Sequence, residues 1–339
     1  MRKGVSDPGP GDKDPAGIVV VGAGAMGSLV GAHLLRAGLD VTFLERRRDM
    51  VQAMERDGLE LTLPDGVQWT LQPRVRSDPS SVESADWVFL CVKAGDTEAA
   101  AAQVADLVHR GAVLVSLQNG LGNFEAIQRA CGPGSAILGT IAAGAYVEAP
   151  GRLKVAGLGP IHLGDPDDPD SDRLVRLARL LGSAGFEVLV ERDIQQVIWD
   201  KLLVNVGINA LTALLGLPNG ALLAIESAAR LMEAAVLEAL AVGRASGLTL
   251  DAKEALARTR QVARTTAANR SSMLSDLLAG RRTEVAQING AVADLAERLG
   301  LTAPVNRTLA DLVESLSQAL DADLLVSERR WHAPEGSDA

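Results

Sequence analysis

Residues 17–37, GIVVVGAGAMGSLVGAHLLRA, decide the fold. A β-branched run is followed by a glycine-rich loop and then by a helical pattern, which is the order of a dinucleotide-binding motif. The loop consists of Gly22, Ala23, Gly24, Ala25, Met26 and Gly27. Its first glycine would permit a tight turn, its second a close approach of backbone to a pyrophosphate, and its third close helix packing. A turn used only for packing is the alternative, but the flanking strand and helix favour dinucleotide binding, with the anion at the positive end of the helix dipole.

The same alternation of short apolar runs and helical patterns fills the first half of the chain. Continuous β-branched and apolar runs are typical of strands buried on both faces, so they predict a parallel sheet covered by helices. The predicted strands are 18–21, 41–44, 87–92 and 112–117. Residues 59–73, with Pro64-Asp65-Gly66 in the middle, predict a hairpin inserted into this plan.

From about Ser171 the pattern changes to long amphipathic helices. They are predicted at 171–184, 192–215, 223–246, 252–278 and 284–299, with further helix to about 325. The expected fold class is therefore α/β, with an N-terminal Rossmann-type dinucleotide-binding domain followed by an all-α C-terminal domain. The expected limits are a disordered leader at 1–16, the Rossmann domain at 17–190, the helical substrate domain at 191–326 and a disordered tail at 327–339. Both tails are polar and cannot bury enough apolar surface to offset their ordering entropy.

The composition excludes several classes of protein. A chain of 339 residues with 47% hydrophobic and 22% charged residues is typical of two globular domains, and not of a collagen or a disordered protein. The net charge of −10 opposes binding to nucleic acid or to an anionic membrane surface. Cys91 and Cys131 form no CxxC and the four histidines are scattered, so neither a disulfide framework nor a metal site is predicted. With no signal peptide or spanning stretch in the pattern, we expect a cytoplasmic protein.

Polar residues follow the predicted strands at their carboxyl ends, where ligands bind in an open α/β sheet. Lys93 and Asn119 occupy such positions, although a surface lysine and an Asn-Gly turn would also suit them. The second strand ends in Glu45 and Arg46. An acidic residue there usually binds the ribose hydroxyls of NAD, whereas an arginine accommodates the 2′-phosphate of NADP, so the two argue in opposite directions. The arginine run 46–48 would also suit a solvated turn.

A polar stripe crosses one of the apolar helices. Lys201, Asn205 and Asn209 are spaced at i, i+4 and i+8 and share one face. Solvent exposure is the ordinary explanation, but asparagine is a mediocre helix former and seldom chosen for an exposed face. We expect a cleft-facing stripe that binds a carboxylate or hydroxyl, with a desolvated lysine as an acid. Thr283 is a plausible N-cap for the helix that follows, and Glu284 in its first turn would need no function by position, since it complements the dipole.

Further short motifs occur in a fixed order between about residue 17 and residue 325. They are the glycine loop, Val92-Lys93, Gln118-Asn119-Gly120-Leu121-Gly122-Asn123, Trp199-Asp200-Lys201 with Asn205, Asn209 and Thr212, Pro218-Asn219-Gly220, Ser271-Ser272-Met273 with Asp276, Arg282-Thr283-Glu284, and Ile288-Asn289-Gly290. The ordered set resembles the ketopantoate reductase (2-dehydropantoate 2-reductase) family. This resemblance implies reduction of 2-dehydropantoate to pantoate in the pantothenate pathway, with NADPH as cofactor.

The resemblance also implies roles for individual residues. Lys201 matches the general acid that protonates the ketone oxygen as hydride arrives, and Glu284 matches the carboxylate that organises cofactor, substrate hydroxyl and lysine. The implied cofactor contacts are the glycine-loop residues Gly22, Ala23, Gly24, Ala25, Met26 and Gly27 together with Arg46, Lys93, Asn119, Ala145 and Glu284. The implied substrate contacts are Asn119, Lys201, Asn205, Asn209, Asn219, Asn269 and Ser272. The family usually has a small or apolar residue where this chain has Glu45, so NADH stays an alternative to NADPH.

Alternatives to this interpretation stay open. The chain could be a paralogous reductase that acts on another 2-ketoacid or hydroxyacid. It could also be a non-catalytic NADP(H) sensor, although the intact Lys201, Glu284 and asparagines argue against that. The expected partner is a small-molecule 2-ketoacid. The Ala- and Leu-rich helices of the second half would suit either a homodimer face or packing within one protomer.

Overall fold

The structure, a computed structural model, describes residues 17–322 and Leu324; the leader predicted at 1–16 and the tail predicted at 327–339 lie outside them. The strands in the described part are β1 (Ile18–Val21), β2 (Val41–Leu44), β3 (Leu59–Thr62), β4 (Gln68–Leu71), β5 (Arg74–Arg76), β6 (Trp87–Leu90), β7 (Val113–Ser116), β8 (Ala136–Ala149), β9 (Arg152–Gly164) and β10 (Val188–Val190). The helices there are α1 (Ala25–Arg36), α2 (Arg48–Arg56), α3 (Thr97–Gln103), α4 (Ala105–His109), α5 (Asn123–Cys131), α6 (Asp172–Ser183), α7 (Ile194–Leu215), α8 (Ala221–Ala224), α9 (Glu226–Ala245), α10 (Ala252–Thr265), α11 (Ser272–Leu278), α12 (Asn289–Arg298) and α13 (Pro304–Asp321).

The strands form one sheet, and the part built from β1, β2, β6 and β7 is parallel, as predicted. The order is β4-β3-β9-β8-β7-β6-β1-β2-β5, with β10 beside β9. Ile18 of β1 lies opposite Val41 of β2 and Trp87 of β6. Alternate residues of β1 belong to different core clusters, because helices cover both faces of this part of the sheet. The carboxyl ends of β1, β2, β6 and β7 therefore meet at one edge, where a ligand site is expected.

The sheet as a whole is mixed, which the sequence did not predict. Strands β8 and β9 form a long antiparallel pair, and β9 also pairs in parallel with β3 and with β10. The pairing with β3 attaches the predicted hairpin, in which Leu59 of β3 lies opposite Leu71 of β4. Much of β8 consists of alanine and glycine, which are poor strand formers, so its pattern predicts a strand only weakly.

The change from sheet to helices falls between β10 and α7. Helix α7 runs through the core of the helical half and packs against α9, α10, α11 and α13. By length and composition it is also long and apolar enough to cross a membrane, but 61% of its most apolar window is buried inside the fold. That burial accounts for its apolar sequence, since a core helix is hydrophobic nearly all round. The predicted fold class is confirmed.

One predicted helix, 252–278, is interrupted. Helix α10 ends at Thr265 and α11 begins at Ser272. The backbone carbonyls of Ala267 and Asn269 accept hydrogen bonds from the loop before α8 instead of from the next helical turn. Ser271 then caps α11, because its hydroxyl accepts from the backbone N–H of Leu274.

The predicted helix start at Thr283 is also wrong. Residues 285–287 form a single 3₁₀ turn, and α12 begins only at Asn289. The carbonyl of Gln287 accepts from the backbone N–H of Leu121 at 2.9 Å, so it is committed to the loop after β7. The Asn289-Gly290 pair, for which we expected close packing, starts α12 and is fully buried, with Asn289 donating to the carbonyl of Val206 on α7.

Candidate active site

The glycine loop connects β1 to α1 and exposes its backbone on one side. Gly22 has φ +93°, a left-handed conformation that favours glycine, and a Cβ on Gly27 would lie 1.9 Å from the carbonyl oxygen of Gly22. A Cβ on Gly24 would meet nothing closer than 3.9 Å, so this side of the loop is open. The first amides of α1 have no partner within the helix and point their dipoles at the same place. The loop residues therefore fit a dinucleotide pyrophosphate.

Glu45, at the end of β2, is committed to the protein itself. Its carboxylate is buried and accepts from the backbone N–H of Ala23 at 2.8 Å and from the backbone and side chain of Arg47 at 2.9–3.2 Å. Burial alone would raise the pKa of Glu45, but the hydrogen bonds from Arg47 and Ala23 outweigh it and hold the pKa below its usual value. Both carboxylate oxygens are thus engaged: Oε2 holds the glycine loop through Ala23, and Oε1 accepts from Arg47.

The two cations predicted for the cofactor each contact a carboxylate. The exposed Arg46 donates to Asp96, with Nη2 2.9 Å from Oδ2. Lys93 donates to the buried carboxylate of Asp276 on α11, which also accepts from Arg281. Because Lys93 follows β6 and Asp276 belongs to the helical half, their ion pair joins the two halves of the molecule beside the expected cofactor site.

Lys201 lies on α7 at a cleft between the helical half and the sheet. The cleft is lined by Gln118, Asn119, Gly120, Thr140, Ile198, Lys201, Leu202 and Asn205. The Nζ of Lys201 donates to the carbonyl of Ile141 at 2.9 Å. The ladder between β8 and β9 shifts register directly after Ile141, and such irregularities often accompany active sites. The stripe therefore faces a cleft at Lys201 and Asn205, and Asn209 further along α7 is buried.

Burial and charge set the protonation of Lys201. Desolvation lowers its pKa to about 8, and the negative charge of Glu284 acts in the opposite direction. An amine with this pKa is mostly protonated at neutral pH, yet gives up its proton more readily than a solvated lysine. The position can therefore supply both a positive charge and a proton.

Glu284 reaches from the helical half to the ends of two strands. Its carboxylate is buried, and its two oxygens lie 3.4 Å from the backbone N of Ala94 and 3.4 Å from Nδ2 of Asn119. Those partners belong to the loops after β6 and β7. The structure therefore brings Lys201, Glu284, Asn119 and Asn205 to one site, although they are far apart in the sequence.

Three other predicted substrate residues form a second group at the carboxyl end of α7. Asn219 donates to Thr266 and bonds through its backbone N–H to the carbonyl of Asn269, while its buried Oδ1 has no hydrogen-bond partner. Ser272 is exposed at the start of α11, next to Ser271, whose hydroxyl accepts from Thr212. No hydrogen bond among the described residues links this group to Lys201, and Thr212 is about 16 Å from it along the helix axis.

Ala145 is placed apart from this site. It lies four residues beyond Ile141 on β8, a distance of about 13 Å along an extended strand. It pairs with Val155 in the outer part of the β8–β9 hairpin. The structure thus does not bring Ala145 to the cleft at Lys201.

Several groups at the site had no assigned role in the sequence. The acceptor for Lys201 is the backbone carbonyl of Ile141, which no residue-type pattern identifies. Asp276 stood within a quoted motif, but its contact with Lys93 spans 183 positions. Gln118 fixes the loop after β7 by donating to the carbonyl of Val92 and to Thr97, both at 2.8 Å. Only the neighbouring Asn119 had been assigned a contact.

Comparisons with known proteins match both halves of the chain to one family. The family model "Ketopantoate reductase PanE/ApbA" matches residues 18–168, and "Ketopantoate reductase PanE/ApbA C terminal" matches residues 193–317. A 2-dehydropantoate 2-reductase of Halobacterium salinarum is 40% identical over 296 residues, which cover 87% of this chain and 97% of that protein.

Solved structures of similar fold include two with different names. A PanE/ApbA family ketopantoate reductase from Ralstonia eutropha is 30% identical with a TM-score of 0.83, covering 90% of this chain and 99% of that one. A D-mandelate dehydrogenase in a ternary complex with NADH and anilino(oxo)acetate is 25% identical with a TM-score of 0.86 and the same coverage. The fold is thus shared by one protein named for a 2-keto acid and another named for a 2-hydroxy acid.

Proposed function

The chain belongs to the ketopantoate reductase family, and on this premise we propose that it reduces 2-dehydropantoate to pantoate with NADPH. The observation that carries the proposal is the desolvated amine of the half-buried Lys201, bonded to the carbonyl of Ile141 and grouped with Asn119, Asn205 and Glu284. This arrangement suits a small, polar ketoacid whose oxygen must be protonated. The name of the halobacterial relative supports the substrate.

The residues around the glycine loop fit a nicotinamide dinucleotide with a 2′-phosphate. Bound NADPH would supply the hydride. The backbone of the loop and the first turn of α1 would hold the pyrophosphate, and Arg46 and Lys93 would contact phosphate groups. Glu45 is the residue that had argued for NADH, but its carboxylate is already occupied by Ala23 and Arg47. That commitment supports NADPH.

Lys201 would act as the general acid. As the ketone oxygen gains negative charge, the ammonium group stabilises it electrostatically and then transfers a proton to it. The carbonyl of Ile141 holds Nζ in place, and the amides of Asn119 and Asn205 at the cleft can orient the substrate. Glu284 favours the charged form of Lys201, so the amine is protonated when substrate binds. Exclusion of water from the cleft strengthens each of these interactions.

A reductase for aromatic 2-ketoacids is the second candidate. The observation in its favour is the TM-score of 0.86 to a D-mandelate dehydrogenase that binds NADH. Such an enzyme would use the same acid and differ in the pocket that accepts the side chain of the substrate. Phenylglyoxylate, the 2-ketoacid that corresponds to mandelate, is therefore the substrate that distinguishes the two candidates.

Initial rates with 2-dehydropantoate and phenylglyoxylate, each with NADPH and with NADH, test the proposal. We expect the highest kcat/KM for 2-dehydropantoate with NADPH. Lys201→Ala should lose about 10²- to 10⁴-fold in kcat, as is usual when a general acid is removed. Lys253→Ala, on the exposed face of α10, is the matched control and should keep full activity. A preference for phenylglyoxylate would refute the substrate, and cofactor binding without any turnover would favour the non-catalytic sensor.

The cytoplasmic location and the homodimer stay predictions from the sequence. Exposed leucines on the helical half provide apolar surface that a second copy of the chain could cover, among them Leu231 and Leu237 on α9 and Leu312 on α13. Light scattering of the purified protein measures the oligomeric state directly. A mass of one chain at micromolar concentration would exclude a stable dimer.

A further inference from the structure

Asp96 contacts two arginines, one from each half of the molecule. It ends the 3₁₀ turn after β6. Arg46, at the end of β2, has Nη2 2.9 Å from Oδ2, and Arg282, in the helical half, has Nη1 3.7 Å from Oδ1. Each carboxylate oxygen therefore faces one guanidinium group. The arginine side chains are 79% and 82% exposed, whereas Asp96 is 30% exposed between them.

The place of this cluster relates it to the adenosine half of the cofactor. In a Rossmann-type sheet the residues at the end of the second strand meet the adenosine ribose, and an arginine there accommodates a 2′-phosphate. A guanidinium group binds a carboxylate and a phosphate through the same pair of N–H donors. Arg46 makes one such bond to Asp96, from Nη2, and a 2′-phosphate oxygen would use the same donor.

The acidic residue next to Arg46 does not compete with Asp96 for it. Glu45 is buried and bonded to Ala23 and Arg47, so it leaves Arg46 free. Asp96 makes no capping hydrogen bond to α3, although it occupies the N-cap position. Its side chain therefore contributes little to the local fold, and its carboxylate is available to compete for Arg46 and Arg282.

We propose that Asp96 limits the preference for NADPH over NADH by occupying the two guanidinium groups that would bind the 2′-phosphate, and that Arg282 is a second ligand of this phosphate. The proposal rests on the dinucleotide site of the proposed function. A 2′-phosphate must displace Asp96, whereas the 2′-hydroxyl of NADH need not. Because the ion pairs are exposed, the effect on affinity is about fivefold and not an all-or-none switch.

Binding measurements on the full chain test this without turnover. Dissociation constants of NADPH, NADH, 2′,5′-ADP and 5′-ADP are compared for the natural protein, Asp96→Asn and Arg282→Gln. Asp96→Asn should tighten NADPH and 2′,5′-ADP about fivefold and change the other two less than twofold. Arg282→Gln should weaken the binding of the two ligands that carry a 2′-phosphate, NADPH and 2′,5′-ADP, by a similar factor. Asp106→Asn, which removes an equal charge from the exposed face of α4, should leave all ratios unchanged.

Equal tightening of all four ligands by Asp96→Asn, or an unchanged ratio of NADPH to NADH, would overturn the proposal and leave the proposed function standing. Binding of neither dinucleotide by the natural protein would overturn both. Asp96→Ser is a second variant that also removes the charge, and it should reproduce the change in ratio. A change with Asp96→Asn that is absent with Asp96→Ser would assign the effect to the new amide and would refute the competition.

Discussion

The pH at which ketone reduction declines is a direct consequence of the burial of Lys201. Burial lowers the pKa of this amine from an ordinary 10.5 to about 8, which corresponds to about 3 kcal/mol in favour of the neutral form. A general acid must be protonated in the free enzyme. We therefore expect kcat/KM for reduction to be constant on the acid side of pH 8 as far as Lys201 is concerned, and to fall tenfold for each pH unit above it.

Replacing Glu284 by glutamine tests the electrostatic part of this reasoning. The carboxylate raises the pKa of Lys201 against the effect of burial, so its removal must lower that pKa further. The basic limb of the profile then moves to lower pH, and the variant loses more activity at pH 8 than at pH 6. Because Glu284 also contacts Asn119, a uniform loss of kcat is expected as well, but a uniform loss does not move the limb.

The assay is the initial rate of NADPH oxidation at low 2-dehydropantoate across pH 5.5 to 10. Glu314→Gln, on the exposed face of α13, is the matched control and should leave the limb where it is. Lys201→Arg should have no basic limb in this range, because the guanidinium group stays protonated. An unmoved limb in Glu284→Gln, or an equal movement in the control, would refute the assignment of Lys201 as the titrating acid.

Two further substitutions test the cofactor loop and the scaffold. Gly27→Ala would place a Cβ 1.9 Å from the carbonyl oxygen of Gly22, so we expect nucleotide titration to show at least a tenfold loss of affinity; Gly182→Ala, with open space around it, should bind normally. Asp165→Asn removes a buried carboxylate that accepts from Arg173 at 2.6 and 2.8 Å, and should cost about 3 kcal/mol in urea unfolding at pH 7. Burial raises the pKa of Asp165 but its hydrogen bonds lower it more. The stabilisation is therefore present above the ordinary aspartate pKa and is lost as the pH falls below it. An equal loss of unfolding free energy in Asp165→Asn at pH 7 and at pH 3 would contradict the argument.

The strands around the cofactor site were predictable because helices bury both of their faces. Continuous apolar runs at 18–21 and 41–44 coincide with β1 and β2 in the structure. The predicted strands 87–92 and 112–117 extend beyond β6 and β7, since Cys91 is still half-buried and Leu117 still buried after the strand pairing has ended. Burial determines how far the apolar run extends, whereas hydrogen bonding to the neighbouring strands determines where the strand ends. Only the apolar run can be read from the sequence.

The long β8–β9 hairpin was not predictable in the same way. The first six residues of β8 are buried, but the rest of that strand alternates between half-buried and exposed residues, of which several are alanine or glycine. Pairing holds the hairpin in place: β8 lies between β7 and β9, and β9 also pairs with β3 and β10. Tertiary pairing of this kind overrides a weak local signal. The carbonyl that accepts from Lys201 lies on this hairpin, so this part of the site could not be predicted from the sequence either.

Helix periodicity predicted the face that carries Lys201 and Asn205 but not the residues opposite it. The contacts that build the site join positions 60, 183 and 190 residues apart, namely Lys201 with Ile141, Lys93 with Asp276, and Ala94 with Glu284. A single sequence contains no local pattern for such pairs. The likeness to a family supplied the residue types, and the fold supplied their neighbours.

The proposed acid has two requirements, and both depend on the junction between the two halves of the molecule. Desolvation of Lys201 makes the loss of its proton easier than in water. The carboxylate of Glu284 then prevents burial from removing the proton altogether, and the loops after β6 and β7 hold that carboxylate through Ala94 and Asn119. Without Glu284, the pKa of Lys201 would be lower and the amine would lose its proton at a lower pH. Without desolvation, Lys201 would keep the pKa of an ordinary lysine and would be a weaker acid. A site at the junction of the halves meets both conditions, because only there can a residue on an apolar helix face the polar ends of the strands.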